Sequence, residues 1–177
     1  MDDFFAAMEA TKRRKLVVLT KPEALKAVAL VKGRNQKEAK FGAMTYDNRR
    51  GGAEAHLIGL FGEMGVAKLL GLPVDERIFE DSGDDGVDLF GDKKLGVKCT
   101  TYLNEPYLRV EIEHHNRELD GYVLCAMNKQ KAHEIHVIGW ATVPMVEAAV
   151  QKQFVPNGPN NYVLYEHELL DIATLKV

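Results

Sequence analysis

The chain of 177 residues contains only two cysteines, Cys99 and Cys125, and neither belongs to a Cys-x-x-Cys pair. Both lie inside apolar segments, so buried free thiols are expected and a disulfide framework is not. No apolar run reaches the roughly 18 residues that a membrane-spanning helix needs. The start, Met1-Asp-Asp-Phe4, lacks the basic opening and apolar core of a secretory signal, so a cytoplasmic location is expected. A glycine-rich phosphate loop and a Ser-His-Asp order are also missing, which removes two common enzyme classes. Hydrophobic residues make up 46% and charged residues 28%, a balance that supports a folded core rather than a disordered chain.

Positive charge is scarce overall but concentrated. The net charge is −3, yet Thr11 to Arg50 carries twelve Lys or Arg against Glu23, Glu38 and Asp47. That segment is +9 and the remainder is therefore −12. A basic arm on an acidic body suits phosphate contact, and it equally suits a solvated helix face.

The periodicity predicts one mixed α/β domain over 1–177, with a basic helical region over 1–50 and a core over 51–177. Pro22 opens a helix to about Phe41, and a second helix runs from Ala53 to Leu70 on a stripe of Leu57, Leu60, Phe61, Met64 and Ala67. Gly71 and Pro73 stop it. Short strands are expected at Val87–Phe90, Leu95–Thr101, Tyr107–Ile112, Tyr122–Met127, Glu134–Trp140 and Tyr162–Tyr165. Val143 to about Gln153 and Leu169–Leu175 read as helices. Helices before and after a run of strands predict a mostly antiparallel sheet flanked by helices.

Three residues carry the chemistry. Asp88, in Gly86-Val-Asp-Leu-Phe90, projects opposite Val87 and Leu89 by strand alternation. After the turn Gly91-Asp-Lys-Lys94, the hairpin returns through Leu95-Gly-Val-Lys-Cys-Thr100, so Asp88 and Lys98 are expected side by side on one face. A strand lysine between Val97 and Cys99 needs a carboxylate neighbour if it is buried. Glu63 borders the apolar stripe of the second helix, beside Gly59 and Gly62, whose low helix propensity suits a close approach to a sheet. Taken alone, Glu63 also reads as an ordinary surface glutamate.

The sequence Gly62-Glu63-x-x-Val66-Ala67-x-x-Leu70-Gly71, then Gly86-Val-Asp88-Leu, then Val97-Lys98-x-Thr100, resembles the PD-(D/E)XK nuclease superfamily, most closely its small phage and restriction-type members. Tyr122-Val-Leu-Cys and Ile135 to Thr142 extend the likeness, which covers roughly Gly51 to Thr142. The resemblance implies a restriction-endonuclease-like core and Mg²⁺-dependent, or Mn²⁺-dependent, hydrolysis of DNA. It matches Asp88 to the metal-binding aspartate, Lys98 to the terminal lysine and Glu63 to the helix glutamate. It matches Val97 to a position whose carbonyl completes the metal shell. Thr100 and Thr101 would bond phosphate oxygens, and Lys12, Arg13, Arg14, Lys15, Arg49 and Arg50 would contact the DNA backbone.

One departure stands out: Gly96 occupies the place of the motif's second acid. Either Glu63 replaces the lost ligand, or the chain is a nuclease-like DNA-binding or protein-interaction module without catalysis. Glu111 or Glu113, read as lying on a strand beside that of Lys98, is a further candidate for the missing carboxylate. A Holliday-junction resolvase acting as a homodimer is a third reading. Adjacent His114 and His115 point apart at a strand end and do not form a metal site.

Overall fold

The computed structural model describes residues 13–41, 52–74, 76 and 86–177. The expected acidic turn before Gly86, together with Lys12, Arg49 and Arg50, lies outside the described residues. In chain order the elements are β1 (Lys15–Val18), α1 (Lys21–Phe41), α2 (Gly52–Leu70), β2 (Leu89–Phe90), β3 (Lys94–Thr100) and β4 (Tyr107–Glu111). There follow β5 (Gly121–Asn128), β6 (Lys131–Thr142), α3 (Val143–Glu147), β7 (Val150–Gln153) and β8 (Asn160–Tyr165). The chain is therefore α/β, with two sheets rather than one. Among the described residues no helix is long and apolar enough to cross a membrane.

The larger sheet has the order β1-β6-β5-β3-β2, and the smaller one β4-β8-β7. Every pairing is antiparallel except β3 with β5, which run parallel, so the large sheet is mixed. Strand β5 explains the layering. Its run Gly121-Tyr-Val-Leu-Cys-Ala-Met127 is buried throughout, as a strand covered on both faces must be. Val123, Cys125 and Met127 join one core with Leu60, Met64 and Val66 of α2. Tyr122, Leu124 and Ala126 join a second core with Leu108 and Val110 of β4 and Leu164 of β8. Helices thus cover one face of the large sheet and the small sheet covers the other.

Helix α1 starts on a capping box. Thr20 Oγ1 accepts from the Glu23 N–H at 3.4 Å, and Glu23 Oε2 accepts from the Thr20 N–H at 2.5 Å. Helix α2 approaches the sheet through two glycines. A Cβ on Gly62 would stand 2.6 Å from Cys99 Cβ and 2.8 Å from Cys125 Sγ, and one on Gly65 would stand 2.7 Å from Ile135. Only hydrogen fits at either position.

Four expectations fail for identifiable reasons. The predicted helix over Val143–Gln153 stops at Glu147, because Val150–Gln153 pairs in register with Asn160–Val163. Sheet pairing overrides local propensity there. Leu169–Leu175 is likewise not one helix: Leu170 bridges Trp140, and only Ile172–Thr174 makes a 3₁₀ turn, capped by Asp171. Lys15 to Val18, read as part of a basic arm, is an edge strand on β6. And β4, expected beside the Lys98 strand, belongs to the other sheet.

Candidate active site

The strand register decides how the predicted residues meet. Leu89 pairs with Leu95, so one step further Asp88 falls opposite Gly96, not Lys98. Asp88 precedes β2 rather than lying in it, and the alternation expected there is broken. Val87 packs into the core beneath the small sheet, while Leu89 packs into the core beneath the helices. The backbone turns between them, and the Asp88 carboxylate reaches the sheet edge. Its Oδ2 accepts the Val97 N–H at 2.5 Å, while the Asp88 N–H donates to the Leu95 carbonyl at 3.0 Å. The side chain thereby satisfies a β3 donor that the two-residue strand β2 is too short to reach.

Lys98 is exposed, so its ammonium carries no burial cost that a neighbouring carboxylate must offset, and its carbonyl accepts from the Cys125 thiol at 3.8 Å. Alternation turns the Lys98 side chain away from Val97 and Cys99, the β3 side chains that meet α2, and toward the face shared by Gly96. Glu63 comes from the α2 side. It is half-buried, and its Oε1 lies 3.9 Å from where a Gly59 Cβ would stand. Glu63 thus belongs to the helix-covered side of the large sheet and Lys98 to its other face, while Asp88 is held at the β2–β3 edge.

One group reports on both acids. The Cys125 thiol is pushed well up by the neighbouring Cys99 thiol, then by burial, and further by the negative charges of Glu63 and Asp88. Both carboxylates thus lie within electrostatic reach of a single sulfur. Cys99 and Cys125 are free thiols, directly opposite each other across β3 and β5.

Position 96 is closed. A Cβ there would stand 2.8 Å from Cδ1 of Tyr122 and 3.1 Å from Cδ1 of Leu119. The Tyr122 hydroxyl accepts from the Asn116 N–H at 3.0 Å and lies 3.0 Å from Nδ1 of His115. Burial chiefly, and the Asp88 charge in addition, raise its pKa against a lowering backbone hydrogen bond at Asn116. This Tyr122–His115–Asn116 anchor escaped sequence reasoning because its members are local in neither helical nor strand spacing. His114 and His115 do point apart: His115 is buried with Nε2 3.5 Å from Glu147, while His114 is exposed.

Other predicted residues are dispersed or committed elsewhere. Arg14 donates from Nε and Nη2 to both Glu166 oxygens at 2.5 Å, and from Nη1 to the Leu103 carbonyl at 2.9 Å. With side chains only 14% and 10% exposed, this pair ties the start of β1 to the end of β8. Arg13 is half-buried. Lys15 is exposed but lies in one register row with Val137, Cys125 and Cys99, three strands from β3 and so about 14 Å away. Thr100 Oγ1 accepts from the Tyr102 N–H at 3.2 Å, and Thr101 follows it in the bend after β3. Glu111 pairs with Arg109 at 3.2 Å on the small sheet, and Glu113 lies in the 3₁₀ turn after β4, so neither replaces the missing acid.

Among the described residues no three His, Cys, Asp or Glu side chains gather to hold a metal ion. Asp88 and the Val97 carbonyl stand at the edge, and Glu63 lies on the α2 side of the same sheet. A hard cation such as Mg²⁺ takes one or two carboxylates and keeps several waters, so this donor set fits a single ion and not a pair. Comparison with models of protein families, with curated proteins and with solved structures gives no match.

Proposed function

We propose that this chain is a metal-dependent DNA endonuclease with a restriction-endonuclease-like core, cutting phosphodiester bonds at the β2–β3 edge. The observation that carries the reading is the Asp88 carboxylate held on the Val97 N–H, next to the strand that presents an exposed Lys98. A backbone donor fixes the orientation of that carboxylate, and fixed orientation is what a ligand needs. Asp88, Glu63 and the Val97 carbonyl would hold one Mg²⁺ or Mn²⁺, which when bound supplies an activated water and withdraws charge from the phosphate. Lys98 sets an ammonium against the phosphate oxygens, stabilising the charge that develops as the bond breaks. It also orients the attacking water by hydrogen bonding. Thr100, at the end of the same strand, and Thr101, in the bend after it, offer hydroxyls to the flanking phosphates, with Lys12, Arg13, Lys15, Arg49 and Arg50 as backbone contacts further out.

The closed pocket at Gly96 supports a second reading, a DNA-binding module that does not cut. Both are tested by incubating the protein with supercoiled, linear, single-stranded and four-way-junction DNA in Mg²⁺, Mn²⁺ or EDTA. Cutting that needs a metal and falls at least ~100-fold in Asp88→Ala and in Lys98→Ala supports the endonuclease. Binding without cutting in either metal supports the module. Symmetric cleavage confined to junctions narrows the enzyme to a resolvase, acting as a homodimer.

A further inference from the structure

The outer face of the small sheet carries a row of aromatic rings that the edge site does not use. Tyr107 on β4 stacks on Phe154 with centroids 5.6 Å apart and planes 7° apart. Tyr107 also meets Tyr165 edge-on at 6.3 Å, and Tyr165 stacks on His167 at 6.1 Å and 7°. The four rings form one continuous line across strands β4 and β8 and their flanking loops. Strand alternation explains it: Leu108 and Val110 turn into the core, so Tyr107 and Arg109 turn out. Phe154 is 42% and Tyr165 37% exposed, a large apolar area left in water.

Two cations accompany the rings. Arg109 lies 5.2 Å from the Phe154 centroid, and Lys152 lies 5.0 Å from that of Tyr165, with its Nζ donating to the Tyr165 hydroxyl at 2.5 Å. Two acids share this surface: Glu111 pairs with Arg109, whose Nε also donates to Asn161 Oδ1 at 2.9 Å, and Glu168 accepts the Tyr165 N–H at 2.7 Å. Flat apolar faces alternating with positive charge complement one kind of polymer, a chain of planar bases joined by phosphates. In a duplex the base faces are already stacked, so only an unpaired strand can use such a row.

We propose that the outer face of the β4-β8-β7 sheet binds single-stranded nucleic acid, bases stacking along Phe154, Tyr107, Tyr165 and His167 and phosphates meeting Arg109 and Lys152. The proposal deepens the reading of the chain as a protein that acts on DNA, and it adds a strand-holding surface on the opposite side of the protein from helix α2.

Binding is measured apart from cleavage, in EDTA, by fluorescence anisotropy of a labelled oligothymidylate of about 12 nucleotides, a length within the ~4–16-nucleotide range of comparable surfaces. A duplex of equal length is the comparison, and the salt concentration is varied. The wild type is expected to prefer the single strand and to lose affinity as salt rises. Phe154→Ala, placed in an exposed loop, and Tyr165→Ala are each expected to weaken binding roughly 5- to 150-fold, the effect of losing one base stack. Unchanged circular dichroism in Phe154→Ala separates lost binding from lost folding. Equal affinity for both oligonucleotides, undiminished binding in both variants, or dimerisation of the wild type that disappears in Phe154→Ala overturns the proposal; the last would make a second copy of this chain the occupant. Cleavage assays on the same wild-type preparation keep the two readings apart. Oligonucleotide binding without cutting sinks the endonuclease alone, and cutting without oligonucleotide binding sinks the stacking surface alone.

Discussion

The ring of Tyr122 fills the space that any side chain at position 96 would need, coming within 2.8 Å of an added Cβ. The residue that resembles a lost motif acid is therefore not merely an omission on an otherwise intact strand. The ring is 2% exposed and its hydroxyl is tied to His115 and Asn116, so it cannot swing aside cheaply.

Gly96→Asp is accordingly expected to destabilise the protein by about 1–3 kcal/mol, the usual cost of overpacking a core. It is also expected to leave metal-dependent cutting no faster than wild type. Urea denaturation and the plasmid assay read the two effects separately. A stable and faster Gly96→Asp enzyme would mean that Tyr122 yields.

The glycines of α2 make a matched pair for stability. Gly62→Ala drives a methyl into Cys99 and Cys125 and should cost about 1–3 kcal/mol. Gly59→Ala meets only Glu63 Oε1, at 3.9 Å, and should stabilise by up to about 1 kcal/mol through helix propensity. Denaturation midpoints that move in the same direction would contradict the close seating of α2 on the sheet.

Arg14 is the test of a corrected expectation. Arg14→Ala leaves Glu166 without its bidentate partner in a poorly exposed site, a loss of about 3 kcal/mol for a well-buried pair and less here. A double-mutant cycle with Glu166→Ala should show coupling between the two, while the salt dependence of DNA binding stays as in wild type. A flatter salt slope in Arg14→Ala would restore Arg14 as a phosphate contact.

Glu23 links acid stability to the packing of α1 on α2. The Lys68 ammonium, then the Thr20 N–H and hydroxyl, hold its carboxyl at about 2, below the ordinary 4.5. A folded value below the unfolded one means that its stabilisation is complete above about pH 4.5 and disappears as pH falls toward 2. Glu23 is one-third exposed, so the gain at neutral pH is about 1 kcal/mol or less. Glu23→Gln should be less stable than wild type by that amount at pH 7 and equal to it near pH 2. A constant difference across that range in acid titrations followed by circular dichroism would assign the effect to something other than ionisation.

The two long helices, the β3 and β5 strands and the half-buried position of Glu63 were legible in the chain itself, because 3.6-residue and two-residue periodicities are local properties. So was the close approach of α2, through Gly62. Other features depended on partners remote in sequence. Val150–Gln153 is a strand because Asn160–Val163 is there to pair with it, and Lys15–Val18 is a strand because β6 has a free edge. Asp88 falls opposite Gly96 instead of Lys98 because the turn over residues 91–93 pairs Phe90 with Lys94 and so fixes the register of the hairpin. Arg14 looked like a phosphate contact until the fold brought Glu166, 152 residues away, against it. Local propensity determined which segments could form helices and strands. The meeting of distant surfaces decided which charges were spent on holding the fold, and left Lys98 and the row of rings facing water.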